Sequence, residues 1–171
     1  MYQWGAQSSV IRDLFTYGRE QAAKIGDENV FDFSIGNPTV PAPECIKDAV
    51  TEIMETRTAV AVHGYTAAAG DPVVRKGLAD YMNKTFNAGV EAGNFYMTCG
   101  AAASLTITLK ALVESPDDEI VVIAPYFPEY TAFIKNSGAE KVVVPPDMES
   151  FQIPFDALEQ AITSKTRALI I

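Results

Sequence analysis

The chain has 171 residues, 48% of them hydrophobic and 20% charged, and a net charge of -9. Such a length suits one domain with a core of its own, and the apolar content excludes an intrinsically disordered chain. The acidic balance, without a run of even four basic residues, lacks the footprint of nucleic-acid binding and opposes an anionic membrane surface.

In chain order, Ser8 or Ser9 can cap a helix whose apolar face is Val10, Ile11, Leu14, Phe15, Ala22 and Ile25. Gly26-Asp27-Glu28-Asn29 ends it. Val30–Ile35 alternates apolar and polar as a short strand does, and Gly36-Asn37-Pro38-Thr39 breaks it. Pro43 opens a second helix with a predicted buried stripe of Ile46, Val50, Ile53 and Met54. A flexible, low-charge stretch from Thr58 to Gly70 holds His63-Gly64-Tyr65. Asp71-Pro72 then starts a helix carrying Val74, Leu78, Tyr81 and Met82.

From Phe95 the pattern alternates. Strands are predicted at Phe95–Thr98, Glu119–Ala124, Lys141–Val144 and Arg167–Ile171, with helices at Gly100–Glu114, Pro128–Asn136 and Pro154–Ile162. Leu105, Leu109 and Leu112 face inward in the first of these helices. Such alternation predicts an α/β fold, a three-layer α/β/α arrangement around a mainly parallel sheet. Gly36–Pro43 reads as a joint, dividing an N-terminal arm and small-domain segment (1–43) from the main sheet domain (44–171).

Cys45 and Cys99 stand far apart, without metal-ligand spacing, and read as free thiols in a reducing compartment; no metal site is expected. The start shows no basic region followed by an apolar stretch, and no run approaches the ~18 apolar residues of a membrane span. A cytoplasmic protein is the expectation. The last residues, Arg167-Ala168-Leu169-Ile170-Ile171, form an apolar run of the kind found inside a larger fold, so the expectation is a truncated chain.

Four local signals carry chemistry. Thr98-Cys99-Gly100-Ala101-Ala102-Ala103-Ser104 is a tight small-residue turn at a helix start; it either exposes backbone N–H groups to a phosphate or merely permits close packing. Neither the G-x-G-x-x-G fingerprint nor a P-loop is present. Ala124-Pro125-Tyr126-Phe127-Pro128-Glu129-Tyr130 follows the most apolar strand, where ligands of open α/β sheets bind; its aromatics either stack on a planar ring or pack a helix start. His63, the single histidine, reads as a loop residue, whereas the Tyr65 phenol can donate a hydrogen bond to an anion. In Gly36-Asn37-Pro38, the Gly36 N–H can meet a carboxylate.

Taken in order, these pieces resemble the front half of a fold-type I pyridoxal-phosphate enzyme of the class I/II aminotransferase family, similar to aspartate aminotransferases. The motifs are Asp32-Phe33-Ser34-Ile35-Gly36-Asn37-Pro38, then Tyr65 with Gly70 and the Arg75–Tyr81 helix, then Thr98-x-Gly100-Ala101 and Pro125-Tyr126-Phe127-x-x-Tyr130. The resemblance covers about Val10 to Ile171. It implies a pyridoxal 5'-phosphate cofactor whose phosphate meets the Ala101 and Ala102 N–H groups and whose ring stacks on Phe127. Tyr65 reaches the neighbouring subunit's phosphate in a homodimer, and Gly36 helps hold the substrate carboxylate. The implied reaction exchanges an amino group between an amino acid and a 2-oxo acid.

The resemblance also places the Schiff-base lysine beyond Ile171, together with the Asn-x-Pro motif, the aspartate that pairs the pyridinium nitrogen and the substrate arginine. It assigns none of the eight lysines, Lys24 to Lys165, to catalysis. The large domain is then incomplete, with Phe95–Thr98 as an edge strand lacking its partner, and this chain alone is expected to be inactive and marginally folded. A pyridoxal-phosphate-dependent carbon–sulfur lyase shares these motifs. A non-catalytic α/β ligand-binding or interaction module is the alternative of a different class.

Overall fold

Three successive side chains, Ile120, Val121 and Val122, are fully buried; neighbours along a strand point to opposite faces, so this strand is covered on both. In the computed structural model, which describes residues 10–34, 36, 38 and 40–171, it is β1 (Glu119–Ile123). β1 is the centre of a parallel sheet, flanked by β2 (Glu140–Val144) on one side and β3 (Thr166–Ile170) on the other. Ser8, Ser9, Ile35, Asn37 and Thr39 lie outside the described residues.

The residues group into two compact units, 1–64 and 65–171. The first holds α1 (Val10–Ile25), a 3-10 turn at Asp27–Asn29, α2 (Glu44–Thr56) and α3 (Ala59–His63). The second holds α4 (Pro72–Phe86), a 3-10 turn at Ala92–Asn94, α5 (Ala101–Leu112), then β1, α6 (Tyr130–Ser137), β2, α7 (Phe155–Ala161) and β3. The crossover from β1 to β2 and that from β2 to β3 travel in opposite directions across the sheet. Right-handed connections therefore put α6 and α7 on opposite faces, which gives the expected three layers. On the α6 side, Leu109 of α5 and Ile134 of α6 close over Ile120 and Val122, with Ala139 completing the cluster. Each such large side chain stabilises the fold by about 1.5–3 kcal/mol through removal from water.

The β1–β3 pairing slips between Glu119 and Ile120, whose partners are Thr166 and Ala168, so Arg167 stands out of the ladder. Its Nε donates to Asp118 Oδ1 at 2.9 Å. The buried Asp118 also accepts the N–H groups of Glu114 (2.8 Å) and Ser115 (2.9 Å) at Oδ2. These donors, the Glu114 amide first, hold its carboxyl below the usual range although burial pushes the other way.

Several sequence expectations are corrected. Phe95–Thr98 is extended but forms no ladder, because a strand exists only with a partner; the Met97 N–H donates instead to Ala69 O at 3.0 Å. Residues 30–34 form no strand either, since Asp32 Oδ1 takes the Ser34 N–H at 2.8 Å in a side-chain turn. Part of the stretch read as flexible is α3, capped by Thr58. The α2 stripe of Ile46, Val50, Ile53 and Met54 is 42–56% exposed, because the five-residue α3 beside it is too small to cover it. Val74, Tyr81 and Leu112 are likewise exposed.

Candidate functional site

Gly100 opens α5 with φ 91° and ψ 171°, backbone geometry that is essentially restricted to glycine. Ala101, Ala102 and Ala103 follow, and their N–H groups belong to the first turn, which has no intrahelical carbonyl to meet. The Ser104 N–H donates to Gly100 O at 3.2 Å. Thr98 Oγ1 donates to Gly100 O at 3.2 Å, so in its 2.5 Å contact with Ser104 the serine is the donor. No side chain caps the first-turn amides.

Among the described α-helices, α5 alone has neither a carboxylate nor a capping side chain at its start. The others carry Asp13, Glu44, the Thr58 cap, the Asp71 cap, Glu129 at the N-cap position and Asp156. A helix start behaves as roughly half a positive charge, so α5 leaves an unneutralised anion site in an acidic chain.

Geometry brings this turn to the carboxyl end of β1. α5 leads through a short turn into β1, so the two run oppositely; twelve helical residues and five strand residues both span about 17–18 Å. The α5 start therefore lies at the level of the carboxyl end of β1, where the 124–129 loop begins. Lys110 Nζ of α5 donates to Ser137 O of α6 at 3.1 Å, which puts the C-terminal ends of the two packed helices together and their starts at this same edge.

Phe127, in that loop, is 49% exposed and meets Tyr130 edge-on, with ring centroids 5.6 Å apart at 79°. Tyr126 faces the other way, against the core cluster. Its Oη accepts Lys141 Nζ at 2.5 Å, and the same ammonium donates to Thr131 Oγ1 at 2.8 Å. The ammonium is 4.9 Å from the Tyr126 ring centroid. With Oη so much nearer, it lies out beyond the hydroxyl rather than over the ring face, and the contact is a hydrogen bond. It holds the phenol below its ordinary pKa.

The sequence-predicted residues divide. Ala101, Ala102 and Phe127 come to one edge of the second unit. Tyr65 starts that unit, wholly exposed and without a hydrogen bond among the described residues. Gly36 belongs to the first unit, with open space where a Cβ would stand. His63 is the exposed last residue of α3 rather than a loop residue. Lys141 and Thr131 went unnoticed in the sequence; the one signal was a lysine heading the apolar run Val142–Val144.

Residues 28–171 match the family described as aminotransferase class I and II. The chain belongs to that family. Among its class I and II relatives, it is 28% identical over 160 residues to an asparagine–oxo-acid transaminase of Streptococcus mutans, covering 92% of this chain and 39% of that protein. It is 32% identical over 144 residues to an aspartate aminotransferase of Musicola paradisiaca, covering 83% of this chain and 35% of that protein. The crystal structure of an aminotransferase from Eubacterium rectale superposes on all of this chain, and on 43% of that one, with a TM-score of 0.95 at 51% identity. The chain thus spans about two fifths of the length of these aminotransferases.

Proposed function

We propose that the protein carrying this chain is a pyridoxal-phosphate-dependent aminotransferase that moves an amino group between an amino acid and a 2-oxo acid. The observation that carries this is the uncapped start of α5, at the same sheet edge as the half-exposed Phe127 ring, in a chain of the aminotransferase family. The residues fit the cofactor: three first-turn amides can donate to a phosphate, no side chain fills the space beside Gly100, and the flat apolar Phe127 ring is half exposed.

When bound, the cofactor supplies an electron sink for the bonds at the amino-acid α-carbon. The chain's own residues supply its seat. Ala101 and Ala102 donate to the phosphate, Phe127 stacks on the pyridine ring, and Gly36 offers its N–H to the substrate carboxylate. The fully exposed Tyr65 phenol is available to reach the phosphate of a neighbouring subunit in a homodimer. No helix of the described residues is long and apolar enough to cross a membrane, and both cysteines are free, which supports a cytoplasmic role in amino-acid metabolism.

The test is a titration of the whole protein with pyridoxal phosphate, followed by borohydride and by assay of amino transfer from amino acids to 2-oxo acids. A saturable visible band that borohydride fixes at one lysine, together with oxo-acid-dependent turnover, is the expected result. No defined adduct overturns the reading; an adduct with elimination at sulfur, and no transfer, replaces transferase by lyase.

A further inference from the structure

Lys141 is the second residue of β2 and heads the apolar run Val142-Val143-Val144. Its two acceptors bracket one short segment. Tyr126 stands immediately before Phe127, and Thr131 is the second residue of α6. One ammonium thus ties both ends of the 126–131 segment to β2. Tyr126 is further fixed by packing against the core. Phe127, inside the bracket, is half exposed, and its ring contact is to Tyr130, which lies in the same bracket. The direction of the Phe127 ring is therefore set by how the segment is held.

Attachment of α6 to the sheet does not require this lysine, because Ile134 and the apolar cluster already provide it. What the lysine adds is a fixed separation between strand, loop and first helical turn. Ordering a loop only on binding costs affinity, so a segment held in advance binds a planar ligand more tightly. Resting on the cofactor reading above, we propose that Lys141 is a positioning residue. By holding Tyr126 and Thr131 against β2, it presets the Phe127 ring for stacking on the pyridine of pyridoxal phosphate.

The experiment compares wild type, Lys141→Met, Lys141→Arg and Tyr126→Phe in the whole protein. It measures amide exchange over residues 126–133 without cofactor, the pyridoxal-phosphate dissociation constant, and the induced circular dichroism of the bound cofactor. Lys141→Met keeps the apolar stem and loses the charge. It is expected to weaken cofactor binding about tenfold, the scale of one charge-assisted hydrogen bond, to diminish the induced signal and to speed exchange within the segment alone. Tyr126→Phe, which keeps the ring packing and cuts one of the two ties, is expected to move each readout the same way by a smaller amount, the double variant to add nothing beyond Lys141→Met, and Lys141→Arg to recover most of the affinity. Should Lys141→Met fail to fold, Tyr126→Phe and Thr131→Val decide by the same readouts. Wild-type affinity and signal in these variants overturn the proposal while leaving the cofactor reading intact. So does a loss that tracks the unfolding midpoint and that arginine does not restore. A wild type that binds no pyridoxal phosphate overturns the reading itself, and this inference with it.

Discussion

A Cβ at Gly100 would meet nothing within 4 Å, yet alanine there is unfavourable because the backbone itself excludes it. Gly100→Ala should destabilise the protein by about 1–3 kcal/mol in urea unfolding and weaken phosphate binding, since the first turn of α5 must rotate to relieve the strain. Asp118 is the opposite kind of residue, defined by its partners. Because those donors depress its carboxyl pKa, its stabilisation is present above the ordinary carboxylate value near pH 4 and is lost as pH falls through the lower, folded-state value. Asp118→Asn should lower stability at neutral pH and flatten its decline below about pH 4, as followed by denaturant midpoints. Ala101, Ala102 and Phe127 were legible in the sequence because each belongs to a contiguous turn with a local reason for its composition. Lys141 was not, since it meets Tyr126 across fifteen residues and an entire helix, and no periodicity encodes that meeting.

At the scale of elements, burial decides what a substitution costs. Ile134 of α6 is fully buried, and Ile134→Ala should cost about 2–5 kcal/mol, whereas Val143 of β2 is 43% exposed and Val143→Ala should cost less than about 1 kcal/mol. Chemical denaturation of the two variants side by side checks this. The rhythm from α5 to β3 could be read because apolar runs, helix starts and the Gly138 stop agree there. Phe95–Thr98 has a strand's alternation too, but pairing is a property of two segments, and one segment's sequence records only half of it. The same holds for 30–34, where a side-chain turn from Asp32 competes for the backbone. Helical spacing correctly placed α2, yet spacing marks only a face that can be buried, and the stripe on α2 stands open.

For the molecule as a whole, the second unit is built outward from β1, while β2 and β3 each present one unpaired side among the described residues. Fold class was legible from alternation alone, because parallel strands require crossovers and crossovers have a fixed hand. The two-unit division follows from where contacts are dense, which no local pattern reports. One clasp in the second unit has a consequence for how its sequence can change length. The Met97 N–H holds Ala69 O, and Gly70, at φ 96°, lies so close to Met97 that a Cβ there would run into its side chain. The excursion between them, α4 and the turn after it, is closed by its own bonds, Asn83 with Val90 in both directions and Arg75 with Ala92 O. Two residues inserted before the exposed Gly89 should therefore leave pyridoxal-phosphate affinity within about twofold of the parent, because long loops tolerate growth at little entropic cost. The same two residues inserted after Thr98, between the clasp and the helix start, should abolish cofactor binding in the same titration. Length can therefore grow in the Gly89 loop, where the clasp shields the helix start, and scarcely at all in the junction between Met97 and α5.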